Sequence, residues 1–193
     1  MSHYFIENAA LLTNERMLTA NILGQPLKFL SNNGLFACDK VDEISTILIE
    51  NMPPIAGSLL DLGCGYGTIG IALAKKYPLQ LTFADINSIA LAYAVKNAAL
   101  NQVKADAIHS DSFEKIEGKF DTITLNPPIH AGKDTMYKMY TESAQHLNPG
   151  GAFYIVIQKK HGADSTIKKL KEIFSTVDTI YKKKGCLIVK NCI

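Results

Sequence analysis

The sequence has few cysteines, and their spacing suggests neither a metal site nor a disulfide framework. Its 193 residues contain four scattered cysteines and no CxxC pair: Cys38, Cys64, Cys186 and Cys192. Structural zinc sites and small disulfide-stabilised folds both need closely spaced cysteines. We therefore expect free thiols in a reducing compartment and no bound metal.

Long apolar runs and targeting signals are also lacking. No apolar run reaches the roughly 18 to 20 residues that a membrane-spanning helix needs. The amino terminus has no basic patch followed by an apolar segment and a small-residue cleavage site. We therefore expect a cytoplasmic protein with no membrane partner.

Nothing in the sequence divides the chain into parts. It has no internal repeat, no low-complexity tract and no linker rich in proline, glycine or serine. Its length suits one substantial core, and 47% hydrophobic with 20% charged residues is usual for a globular protein. We expect a single domain over residues 1–193, and the sequence leaves the oligomeric state open.

The net charge is only +2, but positive charge is concentrated at the carboxyl end. From Lys159 onward, nine lysines stand against three acidic residues. Such an end could contact phosphates, although runs of charge are more often solvated surface. Both interpretations stay open on the charge alone.

From residue 58 onward, short apolar runs alternate with helical stretches, which predicts a parallel sheet covered by helices. The predicted strands are 58–63, 81–86, 105–110, 120–126, 152–158, 176–183 and 186–192. The predicted helices lie near 68–77, 88–100, 134–146 and 163–174. Asn87 or Ser88 is expected to cap the second helix, and "NPGG" at 148–151 to end the third.

The last two predicted strands are too close in sequence for a crossover helix and should form an antiparallel hairpin. The expected fold is therefore α/β: a doubly wound, mostly parallel, seven-stranded sheet that ends in this hairpin. Residues 1–50 should form an extension packed on it. Short strands are predicted there in "HYFIEN" at 3–8 and "PLKFLSNNGLFA" at 26–37, followed by a helix near 40–51.

A glycine-rich turn, "LLDLGCGYGTIGIALA" at 59–74, joins the first core strand to the first helix. It places Asp61 at the strand end and Gly63, Gly65 and Gly67 in the turn. Glycines there permit positive φ and close approach of a ligand, while the helix start offers unpaired N–H groups. We therefore predict a ligand site. The same stretch satisfies the GxGxxG dinucleotide pattern, which alone is a weak match.

Two acids favour S-adenosylmethionine over a dinucleotide. The carboxylate of Asp61 would repel a pyrophosphate but could serve a cationic amino-acid group through water. Asp85 ends the next strand, where an acid usually accepts hydrogen bonds from ribose hydroxyls, and Asn87 is the better candidate for the helix cap. A ligand with a ribose and a positive charge but no phosphate is implied, and S-adenosylmethionine fits.

The stretch "NPPI" at 126–129 follows the fourth core strand, at the sheet edge where open α/β sheets bind ligands. Two consecutive prolines cannot continue a central strand, and their fixed φ imposes a stiff exit. We predict that this stiffness serves a bound molecule; a plain strand-ending turn is the alternative.

These stretches resemble the motifs of class I S-adenosylmethionine-dependent methyltransferases. "DLGCGYGTIGIALA" with "ADIN" resembles motif I and the second-strand acid, and "NPPI" resembles motif IV of enzymes that methylate planar nitrogen atoms. "NPPIHAGK", "IQKKHGADS" and "GLFACDKVDEISTILIE" together resemble the small-subunit ribosomal RNA guanine-N2 methyltransferases. The resemblance covers about residues 55–193 and implies a compact form that carries only the catalytic domain.

The resemblance implies the following site residues. S-adenosylmethionine would be bound by Asp61, Gly63, Gly65, Gly67, Asp85, Ile86, Asp111, Ser112 and Asn126. The catalytic set would be Asn126, Pro127 and Pro128. A guanine of ribosomal RNA, turned out of its stack, would contact Phe36, Ile129, His130 and Lys133.

Several assignments in this set stay open. Many nitrogen methyltransferases stack the base on an aromatic ring where this chain has Ile129, so Phe36 could supply the ring instead. His130 could contact the base or ribose, or cap the following helix. The predicted mouth of the site carries Lys133, Lys159, Lys160 and His161, which could engage phosphates or be solvated.

Three other functions remain as alternatives. The acceptor of the methyl group could be adenine N6 or a protein glutamine. Gly65, Gly67 and Gly70 could instead belong to a nicotinamide-dependent oxidoreductase. A non-catalytic RNA-binding module with this fold is the fourth possibility, for which the modest net charge offers little support.

Overall fold

The computed structural model describes residues 14–193. The elements in these residues are β1 Arg16–Ile22, β2 Gln25–Ser31, α1 Glu43–Asn51, β3 Gly57–Leu62, α2 Thr68–Lys76, β4 Leu79–Asp85, α3 Ser88–Leu100, β5 Ala105–His109, β6 Phe120–Leu125, α4 Lys133–Gln145, β7 Leu147–Gln158, α5 Ala163–Ile173, β8 Thr176–Lys183 and β9 Cys186–Cys192. Single turns of 3-10 helix, Ile129–Ala131 and Lys159–His161, follow β6 and β7.

The main sheet has seven strands in the order β5-β4-β3-β6-β7-β9-β8. Strands β3 to β7 are parallel, β9 is antiparallel to β7, and β8 is antiparallel to β9. The predicted doubly wound sheet with a carboxyl-terminal hairpin is therefore confirmed. The strand order reverses between β3 and β6, which opens a crevice at their carboxyl ends.

Helices cover both faces of this sheet. On one face, buried side chains of α1, α2 and α3 form one core cluster with residues such as Leu59 and Tyr154. On the other face, α4 and α5 pack in a second cluster around the fully buried Tyr140 and Phe153. This layering buries the central strands β3, β6 and β7 on both sides, as their continuous apolar runs predict.

The amino-terminal sheet differs from the predicted one. It is a hairpin of β1 and β2, closed by Leu23 and Gly24, which both have positive φ. The predicted strand 26–37 ends at Ser31, and β1 was not predicted because "RMLTANI" lacks a clear apolar alternation. The strand predicted at 3–8 lies outside the described residues. The single domain over residues 1–193 stays a prediction for the same reason.

Two buried asparagines, Asn97 in α3 and Asn101 at its C-cap, attach this hairpin to the core. The Asn97 amide accepts from the Leu30 N–H and donates to the Leu30 and Tyr66 carbonyls, over 2.7, 3.0 and 3.0 Å. The Asn101 amide pairs in the same way with the N–H and carbonyl of Lys28. The two amides thus satisfy the edge of β2 as a neighbouring strand would.

Other element boundaries follow the prediction closely, with one exception. Asn87 caps α3, its side chain accepting from the N–H groups of Ile89 and Ala90. Strand β7 begins at Leu147, five residues earlier than predicted, because "NPGG" continues as a bulged strand with a register shift opposite β6. A second bulge interrupts the pairing of β8 with β9 between Thr179 and Tyr181.

No helix within residues 14–193 combines the length and the apolar character needed to cross a membrane. The four thiols are free, two of them buried.

Candidate functional site

A cavity of about 700 Å³ lies at the carboxyl ends of β3, β4 and β6. It occupies the crevice where the strand order reverses, and its volume is typical of a small-molecule site. Its lining includes twelve of the fifteen predicted site residues: Phe36, Gly63, Gly65, Asp85, Ile86, Asp111, Ser112, Asn126, Pro127, Pro128, Ile129 and His130. Asp61, Gly67 and Lys133 do not line it.

The glycine-rich turn presents bare backbone to this cavity. Gly63 and Gly65 have φ of 63° and 56°, a region that favours glycine. A Cβ on Gly65 would meet no atom within 4 Å, so the space above it is open. Gly70 has a different task, because a Cβ there would lie 2.7 Å from Leu81 Cδ1 and 2.8 Å from Phe83 Cε1. The third glycine of the GxGxxG pattern therefore permits close packing of α2 on the sheet.

Asp61 lies behind the turn and is only 1% exposed. Its carboxyl accepts hydrogen bonds from the Gly70 N–H at 2.9 Å and the Thr124 hydroxyl at 3.1 Å. Burial raises the pKa of Asp61 to about 7, and these two hydrogen bonds oppose the shift. Asp61 thus links the start of α2 to β6 by hydrogen bonds. Its role in binding a cationic group of the ligand stays a prediction.

Asp85 lies at the end of β4 and lines the cavity. One carboxylate oxygen accepts from the Gly65 N–H and the other from the Asn87 N–H, each at 2.8 Å. Burial raises the pKa of Asp85 above its ordinary value, and the same N–H groups oppose the shift. The side chain therefore couples the glycine turn to the start of α3 at the position predicted for ribose.

Asp111 and Ser112 follow β5 and form another part of the lining. Ser112 has a φ of 50°, and its hydroxyl donates to Glu142 of α4 at 2.5 Å. Ile86 is 40% exposed beside them. The roles predicted for these three residues toward adenine and ribose stay predictions.

Asn126, directly after β6, is held by the amino-terminal end of α1. Its Nδ2 donates to Asp42 Oδ2 at 2.9 Å and to Ser45 Oγ at 3.1 Å. Asp42 and Ser45 also line the cavity. The amide nitrogen therefore faces α1.

The two prolines give the chain a fixed path after Asn126. Pro127 is buried, and the Pro128 carbonyl accepts from the Ala131 N–H at 2.9 Å, which starts the 3-10 turn Ile129–Ala131. Among residues 14–193, no backbone N–H reaches the Pro127 carbonyl. That oxygen is left for other partners.

Of the four residues predicted to contact substrate, three line the cavity and Lys133 does not. Phe36, on the loop between β2 and α1, is 53% exposed and lines the cavity together with Ile129 and His130. His161 also lines the cavity, whereas Lys133, Lys159 and Lys160 are exposed outside it.

Sequence reasoning missed several lining residues, including Asp42, Ser45, Tyr66 and Gln158. Asp42 was placed inside a helix near 40–51, but the helix begins at Glu43 with Asp42 as its N-cap. An aspartate directly before an apolar-periodic helical stretch is an ordinary helix-start signal. Nothing local in the sequence connects it to Asn126, 84 residues later.

The charges around the cavity limit what it can hold. Three carboxylates line it, those of Asp42, Asp85 and Asp111. Among the described residues, no lysine or arginine belongs to the lining. A pyrophosphate would find no lysine or arginine side chain here, whereas a ligand with a positive charge and hydroxyl donors is suited to the site.

Comparisons with known proteins agree with this chemistry. A family model described as methyltransferase small domain matches residues 26–190. The uncharacterized protein YbxB of Bacillus subtilis is 37% identical over 97% of this chain and 96% of its own length. Ribosomal RNA small subunit methyltransferase C of Pasteurella multocida is 41% identical over 67% of this chain and 42% of its own length. The chain thus spans less than half the length of that methyltransferase.

A solved structure extends the comparison to the fold. The 16S rRNA N2 methyltransferase of T. thermophilus, in complex with AdoMet and guanosine, matches with a TM-score of 0.83 and 28% identity. The match covers 92% of this chain and 50% of that chain.

Proposed function

Because the chain belongs to the methyltransferase small domain family, we propose that it methylates the exocyclic N2 amine of a guanine in small-subunit ribosomal RNA. The activity at family level is S-adenosylmethionine-dependent methyl transfer. One observation carries the finer proposal: the Asn126 amide nitrogen is held by α1, so its carbonyl oxygen is left for a donor in the cavity.

The lining fits S-adenosylmethionine as the cofactor. Asp85 offers a carboxylate for the ribose hydroxyls, and the open space above Gly65 admits a ligand against the backbone. Three carboxylates suit the positive charges of the sulfonium and ammonium groups. When bound, the cofactor supplies an electrophilic methyl group on sulfur.

The residues after β6 are suited to activate an aromatic amine. Its lone pair is delocalised into the ring, so the amine is a weak nucleophile. Two acceptors at its protons, the Asn126 side-chain oxygen and the Pro127 carbonyl, would favour a tetrahedral nitrogen and release the lone pair. The two proline rings restrict the direction of these acceptors, so much of the catalysis would come from positioning.

The flat base needs contacts on its faces. Ile129 can cover one face of an extruded base, and Phe36 projects near the opening with its ring half exposed. His130 lies beside Ile129 and can contact the base or its ribose. These contacts would hold the amine against the two acceptors.

The test is to incubate the purified protein with S-adenosylmethionine carrying a labelled methyl group and with small-subunit RNA or particles from a strain lacking the gene. We expect labelled N2-methylguanosine after digestion to nucleosides. Label in N6-methyladenosine or in protein glutamine would identify the alternative acceptors, and no label in any product would refute methyl transfer to these substrates.

A cationic edge beside the cavity supports RNA as the partner. The Lys159 N–H donates to the Gly185 carbonyl at 2.8 Å, which brings the turn of the β8–β9 hairpin next to the 3-10 turn after β7. We call this surface the lysine edge; it consists of Lys159, Lys160, Lys182, Lys183 and Lys184. All five side chains are exposed, near the cavity residue His161.

Replacing Lys182, Lys183 and Lys184 together by glutamine is expected to raise KM for RNA about 5- to 20-fold, because each lysine that contacts a phosphate releases a counterion. The slope of log affinity against log salt should become shallower by about 2, measured by filter binding at several salt concentrations. Cofactor affinity should not change.

The matched control replaces three exposed lysines near the amino-terminal ends of the parallel strands, away from the cavity: Lys76, Lys104 and Lys119. Equal losses of RNA affinity in both triple variants would show that the lysine edge has no special role.

A further inference from the structure

The carboxylate of Asp42 gathers three hydrogen bonds at one oxygen. Its Oδ2 accepts from the Ser45 N–H at 2.7 Å, the Ser45 hydroxyl at 2.9 Å and the Asn126 Nδ2 at 2.9 Å. The first is the N-cap bond of α1, and the third ties that helix to the end of β6. The same oxygen of Asp42 therefore caps α1 and accepts a hydrogen bond from Asn126 in the site.

The polarity of this cluster is determined by its members. A carboxylate can only accept, so the side of the Asn126 amide that faces Asp42 must be the NH2 group. The Ser45 hydroxyl donates its hydrogen bond to Asp42, so its oxygen can only accept from the NH2 group of Asn126. Both acceptors therefore lie on the same side of Nδ2, and the Asn126 oxygen has to point the other way.

Such control matters because an asparagine amide is almost symmetric in shape. Rotation by 180° exchanges its oxygen and nitrogen with little change in packing. A rotated Asn126 would turn two donors toward a substrate amine that also carries donors, and the interaction would become repulsive. An unanchored amide would sample both orientations.

We propose that Asp42, assisted by Ser45, is a positioning residue that locks the Asn126 amide with its oxygen toward the acceptor amine. The catalytic consequence rests on the function proposed above, whereas the lock itself is a property of the free protein. Asp42 acts through Asn126 and touches no reacting atom.

Variants at position 42 can separate the lock from the helix cap. Asp42→Ser keeps a good N-cap residue, but its hydroxyl is one bond shorter and cannot also reach Asn126. Asp42→Asn can keep an oxygen at the reach of Oδ2, while an NH2 group replaces the other oxygen and the charge is lost. Glu43→Gln removes a neighbouring charge of α1 that does not contact Asn126 and serves as the matched control.

The first measurement needs no substrate. In ¹⁵N-labelled protein, the side-chain NH2 signal of Asn126 is assigned by its disappearance in Asn126→Ala. We expect this NH2 group to be protected from hydrogen exchange in the wild type and in Glu43→Gln, and at least tenfold less protected in Asp42→Ser. Equal protection in Asp42→Ser and the wild type would overturn the proposal.

The second measurement is kinetic. At saturating S-adenosylmethionine, Asp42→Ser should lower kcat about 10- to 100-fold with little change in RNA KM or Tm, while Asp42→Asn retains most of the activity. In an Asn126→Ala background, Asp42→Ser should have no further effect, since neighbours that act as a unit are not additive. An unchanged kcat, or a loss matched by a fall in Tm, would contradict the positioning role.

The two measurements distinguish a failure of the proposed function from a failure of the proposed positioning role. If the wild type methylates no RNA yet Asn126 loses its protection in Asp42→Ser, the proposed function fails and the lock stands. If methylation occurs but Asp42→Ser has wild-type kcat, the function stands and the lock has no catalytic role.

Discussion

Replacing Asn126 by alanine is expected to lower kcat for RNA methylation by about 100- to 1000-fold, the usual loss when one preorganised polar group of an active site is removed. The alanine removes the oxygen that would accept from the substrate amine, and Pro127 alone cannot hold the nitrogen in a tetrahedral geometry. Single-turnover assays with saturating cofactor measure the effect on the chemical step. Cofactor Kd, measured by calorimetry, should change by less than about fivefold, because the loss is specific to the transition state.

Asn148→Ala is the matched control for this experiment. Asn148 also donates to an aspartate, Asp121 Oδ1 at 2.8 Å, but it lies near the amino-terminal ends of the parallel strands, away from the cavity. Its replacement should leave kcat unchanged. If Asn126→Ala retained wild-type kcat, the mechanism proposed for the residues after β6 would be wrong.

Replacing Asn97 by alanine is expected to lower the free energy of unfolding by about 3–5 kcal/mol, because buried partners are left without hydrogen bonds. The Leu30 N–H and the carbonyls of Leu30 and Tyr66 all lose the same amide. Tm should fall by roughly 10 °C in a thermal unfolding experiment. The loss should extend to cofactor affinity, because Tyr66 belongs to the glycine-rich turn.

Two further variants test this explanation. Asn97→Asp keeps the acceptor for the Leu30 N–H but replaces the donor with a buried charge, so it should be more destabilising than alanine. Val95→Ala changes an exposed residue of the same helix and should cost less than about 0.5 kcal/mol. Equal stabilities of Asn97→Ala and Val95→Ala would show that the asparagine contacts contribute little.

The main sheet was predictable because its signals are local. Apolar runs such as 120–125, helix caps such as Asn87 and the short gap between the last strands each specify their own element. The amino-terminal sheet was harder to predict, because β1 has weak alternation and the edge of β2 is satisfied by the side-chain amides of Asn97 and Asn101. That partnership depends on tertiary packing and leaves no local pattern.

The cavity was predictable for a similar reason. The glycine turn, Asp85 and Asn126 each follow a parallel strand, and the carboxyl ends of such strands share one edge of the sheet. The contribution of Asp42 was not predictable, because it arises where a helix start meets a strand end 84 residues away. The burial of Asp61 behind the turn likewise depends on its contacts with both α2 and β6.

The position of β8 at the margin of the sheet has a consequence for behaviour at high concentration. An edge strand presents unpaired N–H and C=O groups to which a strand of another chain can pair, which leads to aggregation. Natural proteins oppose this pairing with bulges and lysines. Strand β8 has both: the bulge between Thr179 and Tyr181, and Lys182 and Lys183 on its exposed surface. The side chains suited to an RNA backbone would therefore also oppose aggregation, so their loss would be felt in solubility as well as in binding.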